Sequence, residues 1–197
     1  MRLLCLSAAV LIIMPCLAAW PAVRPPAAAG GEGASTTVTR IGVDHVLVTA
    51  GRDYETVTAR FREQLGAFDA AALKRSLEAG DDAATRAAVE RMAGPSGFML
   101  FNTQEHGALL GLVDIRAKAV QYVVGNPLFA VEMTRHAVGA GLYAPLRVLI
   151  REVKPGQTCI EYDRPSTLFG QFRDPEVDKV AAGLDRKLES LIESAVR

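Results

Sequence analysis

Two short alternating runs, Leu146 to Val153 and Gln157 to Tyr162, meet at Lys154-Pro155-Gly156-Gln157. Alternation broken by Pro-Gly is a hairpin signature, and a hairpin obliges two strands to lie side by side in antiparallel order. An L-proline fits badly into a two-residue primed turn, so a four-residue loop is expected. Either loop length sets Val153 opposite Thr158. The same count places Glu152 opposite Cys159, Ile150 opposite Glu161, Leu149 opposite Tyr162 and Arg147 opposite Arg164. One face then carries Arg147, Leu149, Arg151, Ile160, Tyr162 and Arg164, and the other Val148, Ile150, Glu152, Cys159, Glu161 and Asp163. Neither face is clean.

Helices flank this hairpin. At Asn126-Pro127 a side-chain acceptor precedes a proline whose missing N–H would have no intrahelical partner, which predicts a helix start and a helix running to about His136. Asp174-Pro175 repeats the device, and Val177, Val180, Leu184, Leu188, Leu191 and Ala195 form the apolar stripe of a closing amphipathic helix. Upstream, Ile41 to Thr49 alternates like a strand. Asp53 then caps a helix striped by Tyr54, Val57, Phe61, Leu65 and Phe68. Two short helices fit Asp69 to Ala79 and Asp82 to Ala93, ended by Gly80 and by Gly94-Pro95. Phe98 to Phe101 and Ala117 to Val124 read as strands, with no element assigned to Gln104 to Leu110 between them. The order strand, helices, two strands, helix, hairpin, helix predicts an α+β fold, its helices packed on one mostly antiparallel sheet.

The N-terminus predicts export. Arg2 precedes an apolar run from Leu3 to Met14, and Pro15 and the small residues Cys16, Ala18 and Ala19 follow. A positive start, a short apolar core and a small-residue zone are what the secretion machinery reads as a signal peptide, here assigned to residues 1–18. The run falls short of the ~20 residues a spanning helix needs, so no transmembrane span is expected after its removal. Residues 19–36, rich in Ala, Pro and Gly, read as a flexible leader, and 37–197 as a single domain. The expected location is the periplasm or the exterior. Of three cysteines, the mature chain then keeps Cys159 alone and forms no internal disulfide. A formal net charge of zero, with both signs interspersed, carries no basic footprint for nucleic acid.

Gly125-Asn126-Pro127, Gly141-Leu142-Tyr143-Ala144-Pro145-Leu146-Arg147 and Glu161-Tyr162-Asp163-Arg164-Pro165-Ser166 occur within one stretch, Tyr122 to Phe172. That series resembles the bacterial family called domain of unknown function 302, from Thr37 onward and most specifically from Tyr122. The resemblance implies pocket or framework roles for Gly125, Asn126, Pro127, Leu142, Tyr143, Pro145, Leu146, Arg147 and Tyr162, with no catalytic role known. It also implies that the helical segment Asp69 to Ala93 is an elaboration.

Like charges directly opposite destabilise a strand pair by up to ~1 kcal/mol, so Arg147 facing Arg164 calls for solvent or a compensating anion. The sharper expectation is a small anionic ligand held by Arg147 and Arg164 beside the rings of Tyr143 and Tyr162. Asn126 offers a helix N-terminus to the same ligand, although Pro127 removes one donor. No two of His45, His106 and His136 are spaced to grip a metal from one helix. His106, in a glycine-containing loop-like stretch, is the best candidate ligand, and zinc, copper or b-type haem held by His106 with His136, Met133 or Cys159 is an alternative. The cofactor is otherwise unassigned. Cys159 as a nucleophile is disfavoured by the anionic neighbours Glu152 and Glu161. The reading is therefore an exported, non-catalytic domain that binds a small ligand or a protein in the cell envelope, with a homodimer expected from apolar residues on the hairpin and the Asn126 helix. The alternative is an enzyme acting on a small anionic or carbonyl compound, with His106 and Tyr143 or Tyr162 as acid or base.

Overall fold

The computed structural model describes residues 34–197. The signal peptide expected over 1–18 and nearly all of the leader over 19–36 lie outside the described residues. Thr39–Arg197 form one compact unit. Its elements run β1 (His45–Ala50), α1 (Tyr54–Glu63), β2 (Gly66–Ala67), α2 (Ala70–Ala79), α3 (Asp82–Met92), β3 (Met99–Gln104), α4 (His106–Leu110), β4 (Ala119–Gly125), α5 (Pro127–Thr134), β5 (Leu146–Lys154), β6 (Gln157–Asp163), α6 (Pro165–Phe169) and α7 (Pro175–Val196), with short 3-10 turns between some of them. The fold is α+β. One six-stranded sheet has the order β1-β6-β5-β4-β3-β2, antiparallel throughout except for the short parallel pairing of β2 with β3.

The capping residues start helices where the sequence places them. Asp53, Asp69, Asp81, Asn126 and Asp174 each accept a hydrogen bond from a backbone N–H of the first turn, supplying partners that helical bonding leaves without one. The α1 stripe is shorter than expected. Its helix stops at Glu63, so Leu65 and Phe68 belong to the crossing segment around β2. There the backbones touch: the N–H groups of Gly66 and Gly94 both donate to the Phe98 carbonyl, at 2.9 and 3.0 Å. A Cβ on Gly66 would stand 1.8 Å from the Met92 carbonyl oxygen, which is why that crossing requires glycine.

The hairpin corrects the expected register. Lys154 pairs with Gln157, leaving Pro155 and Gly156 as a two-residue turn, with Gly156 at φ 78°. Proline first and a left-handed glycine second suit a type II turn, so the four-residue loop does not form. A type II turn twists against its strands, and the ladder absorbs the mismatch in a bulge at Val153, between the pairs Glu152–Thr158 and Lys154–Gln157. Beyond the bulge every pair is displaced by one residue: Val148 meets Tyr162, Leu149 meets Glu161, Ile150 meets Ile160 and Arg151 meets Cys159. A one-residue slip exchanges which residues share a face. Val148, Ile150, Ile160 and Tyr162 now lie together in the core, while Arg147, Leu149, Arg151, Cys159, Glu161 and Asp163 share the other face.

The covered face packs under α1 and α7. Val57 and Phe61 of α1 and Val177, Ala181, Leu184, Leu188, Leu191 and Ile192 of α7 join it in one cluster, with the Phe61 ring stacked 5.2 Å from Tyr122. Truncating a ring such as Phe61 to alanine costs about 3–5 kcal/mol. On the opposite face Leu47 of β1 is 56% exposed. No helix among the described residues is long and apolar enough to cross a membrane.

Candidate functional site

β4 ends at Gly125, where Asn126 turns the chain into α5. The Asn126 Oδ1 accepts from the Leu128 N–H and its Nδ2 donates to the Gly97 carbonyl, both at 2.9 Å. Beside this corner, Ala144-Pro145-Leu146 brings the chain into β5, because Val124 and Leu146 are ladder partners. The two signature segments therefore meet, and between them lies a cavity of about 240 Å³. Phe98 just before β3, Phe101 of β3, Phe129 and Met133 of α5, Phe169 of α6 and Leu184 of α7 complete its walls, together with Phe68 and Leu73. A bulge at Phe101 interrupts the β3–β4 ladder, and the Phe101 ring stacks on Phe68 at 4.2 Å. Asn126 is the one polar side chain in the lining, and both ends of its amide are already bonded. The cavity's lining is otherwise apolar. It offers no charge to a ligand inside it.

The residues expected to hold an anion are not brought together. Arg147 pairs across to Val123 on the uncovered side of the sheet and is exposed, whereas Tyr162 is buried in the core on the other side. The sheet separates them, as the one-residue correction of the register requires. Nor does Arg147 face Arg164. Arg164 lies past the end of β6 as the first residue before α6, where it meets Glu189 at 3.5 Å and Asp44 at 3.8 Å, so its compensating carboxylates are internal. Tyr143 donates its hydroxyl to Gln171 Oε1 at 3.3 Å and sets its ring edge-on to Phe169, bracing the cavity wall from behind. Burial pushes the Tyr162 phenol up, with Glu189 adding to the shift, which favours its protonated form.

His106 opens α4 beyond the far end of β3. Tyr162 lies in the row Thr103–Tyr122–Val148–Tyr162, three strand spacings from β3, or roughly 14 Å at ~4.8 Å each. Tyr143 precedes β5 at the Leu100 end of the same ladder. The acid–base pairing of His106 with either tyrosine is therefore not assembled. His136 is exposed after α5, Met133 is in the core and Cys159 is buried on β6, so the candidate metal ligands also lie apart. Among the described residues no group of three His, Cys, Asp or Glu is placed to hold a metal ion.

Two features escaped the sequence reading. One is the cavity, whose walls come from six separated segments. The other is an ionic network across β5, β6 and β1 on the uncovered face. Arg151 Nε donates to Glu161, Glu161 Oε2 lies 3.5 Å from His45 Nε2, and His45 Nδ1 lies 3.1 Å from Asp163 Oδ1. The hydrogen bond to Asp163, seconded by Glu161, holds the His45 imidazole above its ordinary value despite slight desolvation. Burial alone would raise Glu161, but the Arg151 hydrogen bond and charge outweigh it and leave the carboxyl lowered. The only signal available in the sequence was the alternation of His45 in β1, and its partners depend on a register that the Val153 bulge displaces.

The family profile described as "Domain of unknown function DUF302" matches residues 73–195. The chain belongs to the DUF302 family. The "uncharacterized conserved protein DUF302 from Bacillus stearothermophilus", known from a crystal structure, is similar in fold at a TM-score of 0.55 and 19% identity, over 78% of this chain and 98% of that one. No curated protein matches the chain. At that identity the likeness concerns the DUF302 fold alone. The family match covers the cavity's Gly125–Pro127 and Ala144–Leu146 walls, while Phe68 lies outside the matched residues.

Proposed function

We propose that this DUF302 protein is an exported, non-catalytic binding domain that takes a small apolar molecule into the cavity between Gly125-Asn126-Pro127 and Ala144-Pro145-Leu146. The observation that carries the reading is the lining itself: about 240 Å³ walled by aromatic and aliphatic side chains, with a single amide whose bonds are internal. A dry apolar cavity of ~150 Å³ already admits benzene, and ligand sites are commonly apolar clefts with few polar groups. Export to the periplasm or beyond rests on the Arg2, Leu3 to Met14 and Cys16 to Ala19 pattern. A homodimer is proposed on apolar side chains left in solvent, Leu47 at 56% and Val131 at 50% exposure. An anion held between Arg147 and Arg164 is not part of the proposal, since those two side chains do not converge.

Octanol is a suitable neutral probe. Burying about six methylenes at ~0.8 kcal/mol each yields about 5 kcal/mol, a Kd of roughly 0.2 mM. Titration calorimetry on the purified chain is expected to show saturable binding in that range. Absence of binding up to the solubility of octanol, and of a series of smaller apolar probes such as toluene and indole, would remove the proposal.

A further inference from the structure

A second concavity lies on the far side of Gly97. It measures about 430 Å³ and is lined by Gln64, Pro95 and Ser96 and by one face of α7 that carries Gly183, Arg186, Lys187, Ser190 and Ser194. The spacing of those α7 positions, three or four residues apart, keeps them on one side of the helix. No carboxylate lines it. The nearby acids of α7 point elsewhere: Asp185 accepts from the Ser166 N–H at 2.9 Å, Glu189 meets Arg164 and Glu193 meets Arg197. Among the described residues, neither Arg186 nor Lys187 has an ion-pair partner. Ser96 has its hydroxyl engaged, donating to the Gln64 carbonyl and accepting from the Phe98 N–H, so the groove's open donors are the two cations, the Ser190 hydroxyl and the Gln64 amide.

This basic groove adjoins the apolar cavity. Ser96 lines one and Phe98 the other, with Gly97 between them in the left-handed region at φ 82°. A Cβ on Gly97 would meet Lys187 Nζ at 3.3 Å and Phe129 Cζ at 3.7 Å. Lys187 Nζ also rests 5.4 Å from the centre of the Phe129 ring, which walls the cavity. A cation thus stands at the boundary of a cavity that has no charge inside it. Gly183 and Leu184 make the same division from α7, the first lining the groove and the second the cavity.

We propose that the ligand is a small amphipathic anion, its apolar body in the cavity and its acidic head paired with Lys187 and Arg186 in the groove. This rests on the apolar reading of the cavity and adds to it the chemistry of the head group. Cations left without acids beside an apolar site favour a ligand that brings the missing negative charge, and the aliphatic stem of Lys187 is long enough to leave the Phe129 ring and follow it. An uncharged ligand of the same length would use only half of the site.

The experiment compares octanoate with octanol by calorimetry on the full mature chain, for the wild type, Lys187→Met, Arg186→Gln and the double variant. Both residues are exposed, so the variants are expected to keep the wild-type melting temperature. Octanoate is expected to bind about tenfold more tightly than octanol, as one charge-assisted hydrogen bond discounted for exposure allows. That advantage should vanish in the double variant and shrink in salt, while octanol affinity stays unchanged. Equal affinity of the two probes for the wild type, or an octanoate preference that survives the double variant, overturns the head-group assignment and leaves the apolar cavity standing. If neither probe binds, the cavity reading fails and this one with it.

Discussion

Gly125 offers the sharpest perturbation of the proposed site. It lies in the cavity wall, and a Cβ built on it would stand 3.1 Å from Pro145 Cβ and 3.4 Å from Phe101 Cε2, both of them wall atoms. Gly125 is an ordinary strand residue without positive φ, so alanine there is conformationally permitted. Removing the glycine's freedom in the unfolded chain stabilises by about 0.4–1 kcal/mol, and the crowding against Pro145 and Phe101 offsets that gain. The net change in folding stability is expected to stay within about 1 kcal/mol. Binding is a different matter, because the new methyl narrows the cavity. One methyl group of misfit in an apolar site costs about 1–3 kcal/mol, which raises Kd at least about fivefold. The assay is octanol calorimetry beside urea denaturation of Gly125→Ala, with Ala130→Leu as an independent way of filling the same cavity. Unchanged octanol affinity in both folded variants would show that the ligand lies elsewhere and refute the reasoning.

Other consequences follow from the backbone and the uncovered face. Gly156→Ala places a Cβ on a residue at φ 78° and is expected to cost about 1–2 kcal/mol in urea denaturation, without affecting binding. Gly66→Ala has to displace the Met92 carbonyl and should give little folded protein by circular dichroism. His45 titrates above its ordinary value of 6.5 because of Asp163 and then Glu161. Its contribution to stability is therefore fully present below about pH 6.5 and lost as pH rises through the folded value. His45→Ala should accordingly narrow its melting-temperature gap to the wild type between pH 6 and pH 8. A gap that widened over that interval would contradict the assigned contacts.

Most of the architecture was legible because it was written in short-range chemistry. Asp53, Asn126 and Asp174 announce helix starts through acceptors placed ahead of free N–H groups, and the α7 stripe announces its buried side through its period. What stayed hidden depends on contacts distant in the chain. β2 is two residues long and exists because Gly66 meets the Phe98 carbonyl, which no local pattern encodes. Pro155-Gly156 was legible as a turn, but its type decided the register, and a bulge at Val153 moved Arg147 to the opposite side of the sheet from Tyr162. The anion cluster dissolved with that one residue. Asn126 and Leu146, named from the sequence, line the cavity and Tyr143 sits behind its wall, yet the aromatic walls supplied by Phe68, Phe98, Phe101 and Phe169 come from segments that no spacing connects. Lys187 comes beside Gly97 and Phe129 only through the fold, a proximity no local pattern encodes.

The proposed binding function requires an apolar ligand to enter the space bounded by α5, β3 and the Ala144-Pro145-Leu146 segment. Methyl-resolved nuclear magnetic resonance of the chain titrated with octanol tests this directly. Intermolecular Overhauser contacts are predicted from the octanol chain to the methyl groups of Met133, Ala130 and Leu184, with Leu47 and Leu149 unaffected. Contacts confined to Leu47 and Leu149, on the uncovered face of the sheet, would contradict it.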